Sequence, residues 1–230
     1  MRKPTLLILA LLSVFVCGWT LQAQTRIAVS NTGSSSEVSS SARYRYLFEN
    51  EKFTTPRQEV VFGADGRGEF RFKRKDGEEI VNPLAVSATL VAQVQGLLDE
   101  LRFLDSAEDY QYKKDFSHLG RVTISLARGG RDRETTFNYT TNPAMNRLVE
   151  IFRNIATQET RVFEIETVRA TDPISTPAQL RLLETELRSK HIAEPHRLAP
   201  LLQEIKLDES VPLIARNHAE RLLQAIKKEK

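Results

Sequence analysis

Residues 121–143 read Arg-Val-Thr-Ile-Ser-Leu-Ala-Arg-Gly-Gly-Arg-Asp-Arg-Glu-Thr-Thr-Phe-Asn-Tyr-Thr-Thr-Asn-Pro, and this stretch decides the fold. Val122, Ile124 and Leu126 alternate with other residues, the period of a strand with one buried face. Gly129-Gly130 marks a turn, and Thr135, Phe137 and Tyr139 repeat the alternation on the return. Asn142-Pro143 then sets a capping side chain before a proline at the first helical position. Leu148, Ile151, Phe152 and Ile155 fall on one face of the helix that follows. A hairpin feeding an amphipathic helix predicts an α+β fold, an antiparallel sheet of hairpins with helices packed on it.

The same order is legible upstream. Tyr44, Tyr46 and Phe48 alternate as a strand, and Gln58–Gly63 and Glu69–Lys75 flank an Asp65-Gly66 turn. Phe70 and Phe72 share one face; Arg71 and Lys73 share the other. Asp76-Gly77 predicts a turn into a short strand through Ile80 and Val81. Asn82-Pro83 is expected to open a helical region, whose stripe is Leu90, Val91, Val94, Leu97, Leu98, Leu101 and Leu104. Two helices each entered by Asn-Pro suggest a diverged ββα repeat, with both helices on one face of the sheet.

Downstream, Glu159–Ala170 fits a strand as well as a helix, but no turn signal follows Ile155, so a continued helix is expected. Asp172-Pro173 breaks it. Thr176-Pro177-Ala178-Gln179 has the form of a capping box, and Leu180, Leu183 and Leu187 line the helix after it. Glu194-Pro195 and Val211-Pro212 introduce two more helices. The expected organisation is an α+β domain over 43–170 and a helical segment over 171–230.

The chain opens with Met1-Arg2-Lys3, an apolar run from Leu6 to Val16, and Leu21-Gln22-Ala23. Basic start, apolar middle and small closing residue predict a secretory signal over 1–23, cleaved after Ala23, although Leu21 is bulky for the third-last position. An uncleaved anchor and a lipoprotein through Cys17 are the alternatives; the apolar run is short for a span, and Val16 precedes the cysteine where a small residue is wanted. Residues 24–42 read as a flexible Ser-rich linker.

Removing 1–23 takes away Arg2 and Lys3, so 33 basic residues become 31 against 30 acidic ones, and the net charge falls from +3 to +1. A nearly neutral chain lacks the positive footprint of a general nucleic-acid binder or of a basic membrane-surface patch. The single cysteine, Cys17, and the single tryptophan, Trp19, leave with the signal. The mature protein then has no disulfide and no thiolate ligand, which suits a bacterial periplasm. Asn138-Tyr139-Thr140 has the form of a glycosylation sequon, a pattern common by chance.

Leu201-Leu202-Gln203-Glu204-Ile205, Asp208-Glu209-Ser210-Val211-Pro212 and Ala215-Arg216-Asn217-His218-Ala219-Glu220-Arg221-Leu222-Leu223 resemble a single HEAT-type helical hairpin over residues 198–226. That resemblance implies a protein-binding element, although one hairpin forms no solenoid. Leu101-Arg102-Phe103-Leu104-Asp105, Asp109-Tyr110, Asp115, Thr123-Ile124-Ser125-Leu126 and Gly129-Gly130 resemble an uncharacterised α+β domain of exported bacterial proteins. That resemblance implies no activity, and this chain lacks the cysteine-containing segment usual in such domains.

The densest candidate chemistry lies in the polar loop 105–119, with Asp105, Glu108, Asp109, Asp115 and His118 beside Tyr110 and Tyr112. Asp109, Asp115 and His118 are the candidate acid–base residues of a hydrolase-type site. His191 and His196 flank Glu194, but Pro195 keeps both off one helix, so no metal site is expected. Arg71, Lys73, Arg74 and Lys75 read as a charged sheet face, and no phosphate loop or nucleophile elbow exists. The expected function is a non-enzymatic exported module that binds an envelope protein, with no cofactor and no nucleic acid. The alternatives are a hydrolase-type enzyme or small-ligand binder using the loop, or a binder using Tyr44, Tyr46, Tyr110 and Tyr112.

Overall fold

The computed structural model describes residues 42–228, so the expected signal and nearly all of the expected linker lie outside the described residues. Six strands form one antiparallel sheet: β1 (Arg43–Glu49), β2 (Arg57–Gly63), β3 (Arg67–Lys73), β4 (Glu79–Ala85), β5 (Arg121–Arg128) and β6 (Arg131–Phe137). Their order is β4-β3-β2-β1-β5-β6. The chain meanders outward from β1 to β4, crosses through helix α1 (Ala88–Glu100), and returns on the other side of β1 with the β5–β6 hairpin. Helix α2 (Pro143–Thr171) follows, then α3 (Thr176–Arg188), α4 (Ala199–Leu207) and α5 (Leu213–Lys228). This is an α+β fold.

Alternation built the sheet as expected. Tyr44, Tyr46, Val60, Phe62, Phe70 and Phe72 are buried on one face with Ile124 and Leu126. Phe152 of α2 stacks on Tyr46 at 5.5 Å and tilts against Phe62 at 5.8 Å between ring centres. Phe163, three turns later, meets Phe72 edge-on at 5.2 Å. The first half of α2 and the stripe of α1 thus seal one sheet face. A second core joins Ile165 of α2 to Leu180, Leu183, Leu202, Ile205, Ala215 and Ala219 of the later helices. The stretch 159–170 is helical, and one helix serves both cores. Residues 42–228 fall in a single compact unit.

The opposite sheet face carries no helix of either core. It is laced by ion pairs instead. Arg45 reaches Glu59 at 2.6 Å and Glu134 at 3.1 Å; Arg57 reaches Glu49 at 3.1 Å, Glu59 at 3.2 Å and Glu79 at 3.7 Å; Arg121 reaches Glu49 at 3.3 Å. Burial raises the Glu59 carboxyl, but the Arg45 and Arg57 guanidiniums outweigh it and hold the group below its ordinary value.

Five local expectations are corrected. Asn82-Pro83 opens no helix: both lie in β4, an edge strand that tolerates a missing N–H, and α1 starts after Ser87, whose hydroxyl accepts from the Leu90 N–H at 3.2 Å. The ββα repeat fails with it, because four strands precede α1 and two precede α2. Leu101 and Leu104 lie past the end of α1, where Arg102 takes a positive φ of 45°. Thr176 forms no capping box: it is fully buried inside the first turn of α3, and Gln179 accepts from Arg161 at 2.6 Å. Ala42, the last residue of the expected linker, is already buried, with its carbonyl accepting from Ala64 at 3.0 Å.

Gly68 of β3 lies so close to β2 that a Cβ there meets the Val61 carbonyl oxygen at 1.8 Å and the Phe62 Cα at 2.6 Å. Gly68→Ala must push two paired strands apart, and we expect urea melts to show a loss of about 2 kcal/mol or more.

Candidate functional site

Arg133 and Asn138 each anchor the 105–119 loop to the β6 edge through several contacts. Arg133 donates to the Phe103 and Glu108 carbonyls, both at 2.7 Å, and its guanidinium lies over the Phe103 and Tyr110 rings at 4.8 and 5.6 Å. Asn138 is the second anchor. Its side-chain oxygen accepts from Gln111 Nε2 at 2.9 Å and from the Phe116 N–H at 3.3 Å, and its amide nitrogen donates to Asp115. The Tyr112 N–H donates to the Tyr139 carbonyl at 2.8 Å. The amide of the expected sequon is thus a structural bracket.

The loop's acidic residues are engaged one by one. Asp105 pairs with Arg131, and Glu108 accepts from Asn142 at 3.1 Å. Asp109 accepts from the Gln111 N–H at 2.9 Å, a local turn bond. Asp115 bonds Asn138, while His118 packs edge-on against Phe116 at 6.0 Å and its carbonyl accepts from Asn50 at 3.1 Å. Asp109, Asp115 and His118 are all exposed. No hydrogen bond or ion pair among the described residues joins the His118 ring to Asp109 or Asp115. Among the described residues, no group of three histidine, cysteine or acidic side chains is placed to hold a metal ion.

The tyrosines divide. Of the four candidates, Tyr44, Tyr46 and Tyr110 are buried in the core and Tyr112 is exposed, in an aromatic cluster with Phe116 at 6.2 Å and the likewise exposed Tyr139 at 5.6 Å. A ligand platform made of all four is thereby excluded. Of the basic strand residues, Arg71 pairs with Glu69, and Arg74 pairs with Glu164 of α2 while lying 5.4 Å from the Phe163 ring centre.

His191 and His196 are exposed, but Glu194 between them is buried. Its carboxylate accepts from the Ser87 N–H at 3.2 and 3.3 Å, ahead of the first turn of α1. Its own N–H donates to the buried Gln158 side chain of α2 at 2.8 Å. Glu194 and Gln158 thus tie the turn before α4 to the α+β core, a role no local pattern announced. A glutamate beside a proline reads as a solvated turn until the α1 terminus is brought against it.

Beside this seam sits Glu159. Burial raises its carboxyl above the ordinary value; the Gln158 amide and Arg197 pull the other way without cancelling it. A raised folded-state value means stability that is full below the unfolded value of 4.5 and lost as pH rises through the folded one. Glu159→Gln is therefore expected to raise the melting temperature at pH 7, with the gain vanishing below pH 4.5; calorimetry across that range checks it. Glu194→Ala, which strips the Ser87 N–H of its acceptor, is expected to cost about 1–3 kcal/mol in denaturant melts.

The chain matches no protein-family model, and no curated protein matches it significantly.

Proposed function

We propose that this chain is an exported, non-enzymatic module that binds another protein of the cell envelope, working in the periplasm or outside the cell once residues 1–23 are removed. One observation carries the reading. Leu207 ends α4 and is 67 % exposed; Leu213 and Ile214 begin α5 and are 61 % and 64 % exposed. Arg169, near the C-terminus of α2, pairs with Glu204 at 2.9 Å and Asp208 at 2.7 Å, which brings the end of α2 to this same turn. Ile174, 80 % exposed, follows that helix directly. Four large aliphatic side chains thus stand in water at one end of the helical core. Single exposed aliphatics are ordinary; a group of them rimmed by charges is the anatomy of a protein contact.

The resemblance of residues 198–226 to a HEAT-type hairpin points the same way, because such hairpins contact proteins through their helical surfaces. Asp109, Asp115 and His118 make no hydrogen bond with one another, so the hydrolase reading has less to support it.

Deleting residues 177–230 is the wrong probe, since it strips the partners of Ile165 in the second core. The test uses the mature chain with Leu207→Ser, Leu213→Ser and Ile214→Ser together. All three side chains are exposed, so the melting temperature is expected to stay within a few degrees of the parent. Capture from the native envelope is expected to yield a near-stoichiometric protein partner with the parent chain and none with the triple variant. A partner that survives the substitutions, or no partner at all, overturns the reading.

A further inference from the structure

Away from that helical tip, a cleft of about 750 Å³ opens on the helix-bearing side of the sheet, between β1, β2, α2 and the two loops at this end. Its floor is aromatic: Tyr46 and Phe48 from β1, with Phe53 against Phe48 at 5.6 Å between ring centres. Leu119 forms the opposite lip. Phe53 is 46 % exposed and Leu119 40 %. Both open onto this one space.

The lips are built in place. Asn50 is nearly buried. Its N–H donates to the Pro56 carbonyl at 2.8 Å, and its side-chain oxygen accepts from the Lys52 N–H at 3.1 Å. Its amide nitrogen donates to the His118 carbonyl at 3.1 Å, so one side chain fastens both loops. The Lys75 N–H donates to the Thr54 carbonyl at 2.9 Å and steadies the loop that carries Phe53. Gly120, at φ 89°, lets the chain after Leu119 pass within a Cβ clash of the Glu49 carbonyl and the Phe48 ring.

The wall contributed by α2 carries the charge. Arg147 and Arg161, its neighbours along the helix, pair with Glu100 and Glu186. Among the described residues no carboxylate pairs with Arg153, which lines the cleft together with Thr157 and Gln58. Its side chain is exposed and lines the same cleft as Tyr46, Phe48 and Phe53, so a positive charge borders the aromatic floor.

We infer that this cleft is a binding site for a small organic anion with a flat apolar body, the body lying on Phe48 and Phe53 and the anionic group meeting Arg153. A volume within the range of ligand pockets, an aromatic floor and a few polar groups at the wall are what such sites share. The guanidinium is the side chain suited to a carboxylate, which it takes through paired N–H donors. Gln58 and Thr157 supply hydrogen bonds beside it.

Two probes of the same shape separate charge from shape: 2-naphthoate and the neutral 2-naphthalenemethanol, each titrated into the mature protein and followed by ligand-observed NMR. Arg153→Gln keeps hydrogen-bonding capacity at an exposed helix position, and Phe53→Ala removes an exposed ring; melting curves confirm that both variants fold. The expected result is naphthoate binding that Arg153→Gln weakens about tenfold or more and that Phe53→Ala also weakens. Arg153→Gln leaves the neutral probe unchanged, while Phe53→Ala weakens both. Absent naphthoate binding, or binding that Arg153→Gln leaves unchanged, overturns the inference. Loss of both probes in Arg153→Gln also overturns it, since the arginine then acts on the shape of the cleft rather than on the anion.

Discussion

Helix α2 is longer than the sheet it covers, and the rest of the architecture follows from that mismatch. Its 29 residues extend about 43 Å. The six-stranded sheet it packs on is roughly 24 Å wide. The contacts locate the crossing: Phe152 meets Tyr46 and Phe62 in the middle of the sheet, and Phe163 meets Phe72 on β3. Beyond Phe163 the helix has no sheet beneath it, yet Ile165 is apolar and fully buried. Helices α3, α4 and α5 bury that overhang. The helical segment is therefore the second half of α2's packing environment, and the Glu194 bonds to Ser87 and the Gln158 bond fasten it at the near end.

Most of the fold was legible because it rests on periodicity. Alternation at Tyr44, Phe70 and Val122 placed strands, and the stripes through Leu90 and Leu148 placed helices, since burial of one face leaves a signature in every few residues. The misreadings came where two signals share one dipeptide. Asn142-Pro143 does start a helix: the Asn142 side chain accepts from the Met145 N–H at 3.0 Å. Asn82-Pro83 has the same letters and sits in an edge strand, because Pro there has no ladder bond to lose on its outer side. Only the neighbours in space distinguish them.

The sites were less legible for a physical reason. The acidic residues of the 105–119 loop looked like chemistry because they are close in sequence, yet a loop's side chains can face any direction, and Asp105, Glu108, Asp109 and Asp115 found four different partners. Conversely, the cleft at Arg153 draws on residues more than a hundred positions apart, from Tyr46 to Thr157. Arg153 reads in sequence as one more charge on a solvated helix face. Its meaning comes from what lies opposite, and no local window contains that.

The ion-paired sheet face gives the molecule a back. Arg45, Arg57, Arg71 and Arg121 each pair with a glutamate within the face. Charges paired in this way hold their water and offer a neighbour little. A partner approaching from that side gains little by staying. Contact there must first break ion pairs that the face already makes, whereas the exposed apolar side chains of the helical tip and of the cleft's lips have no such pairs to give up.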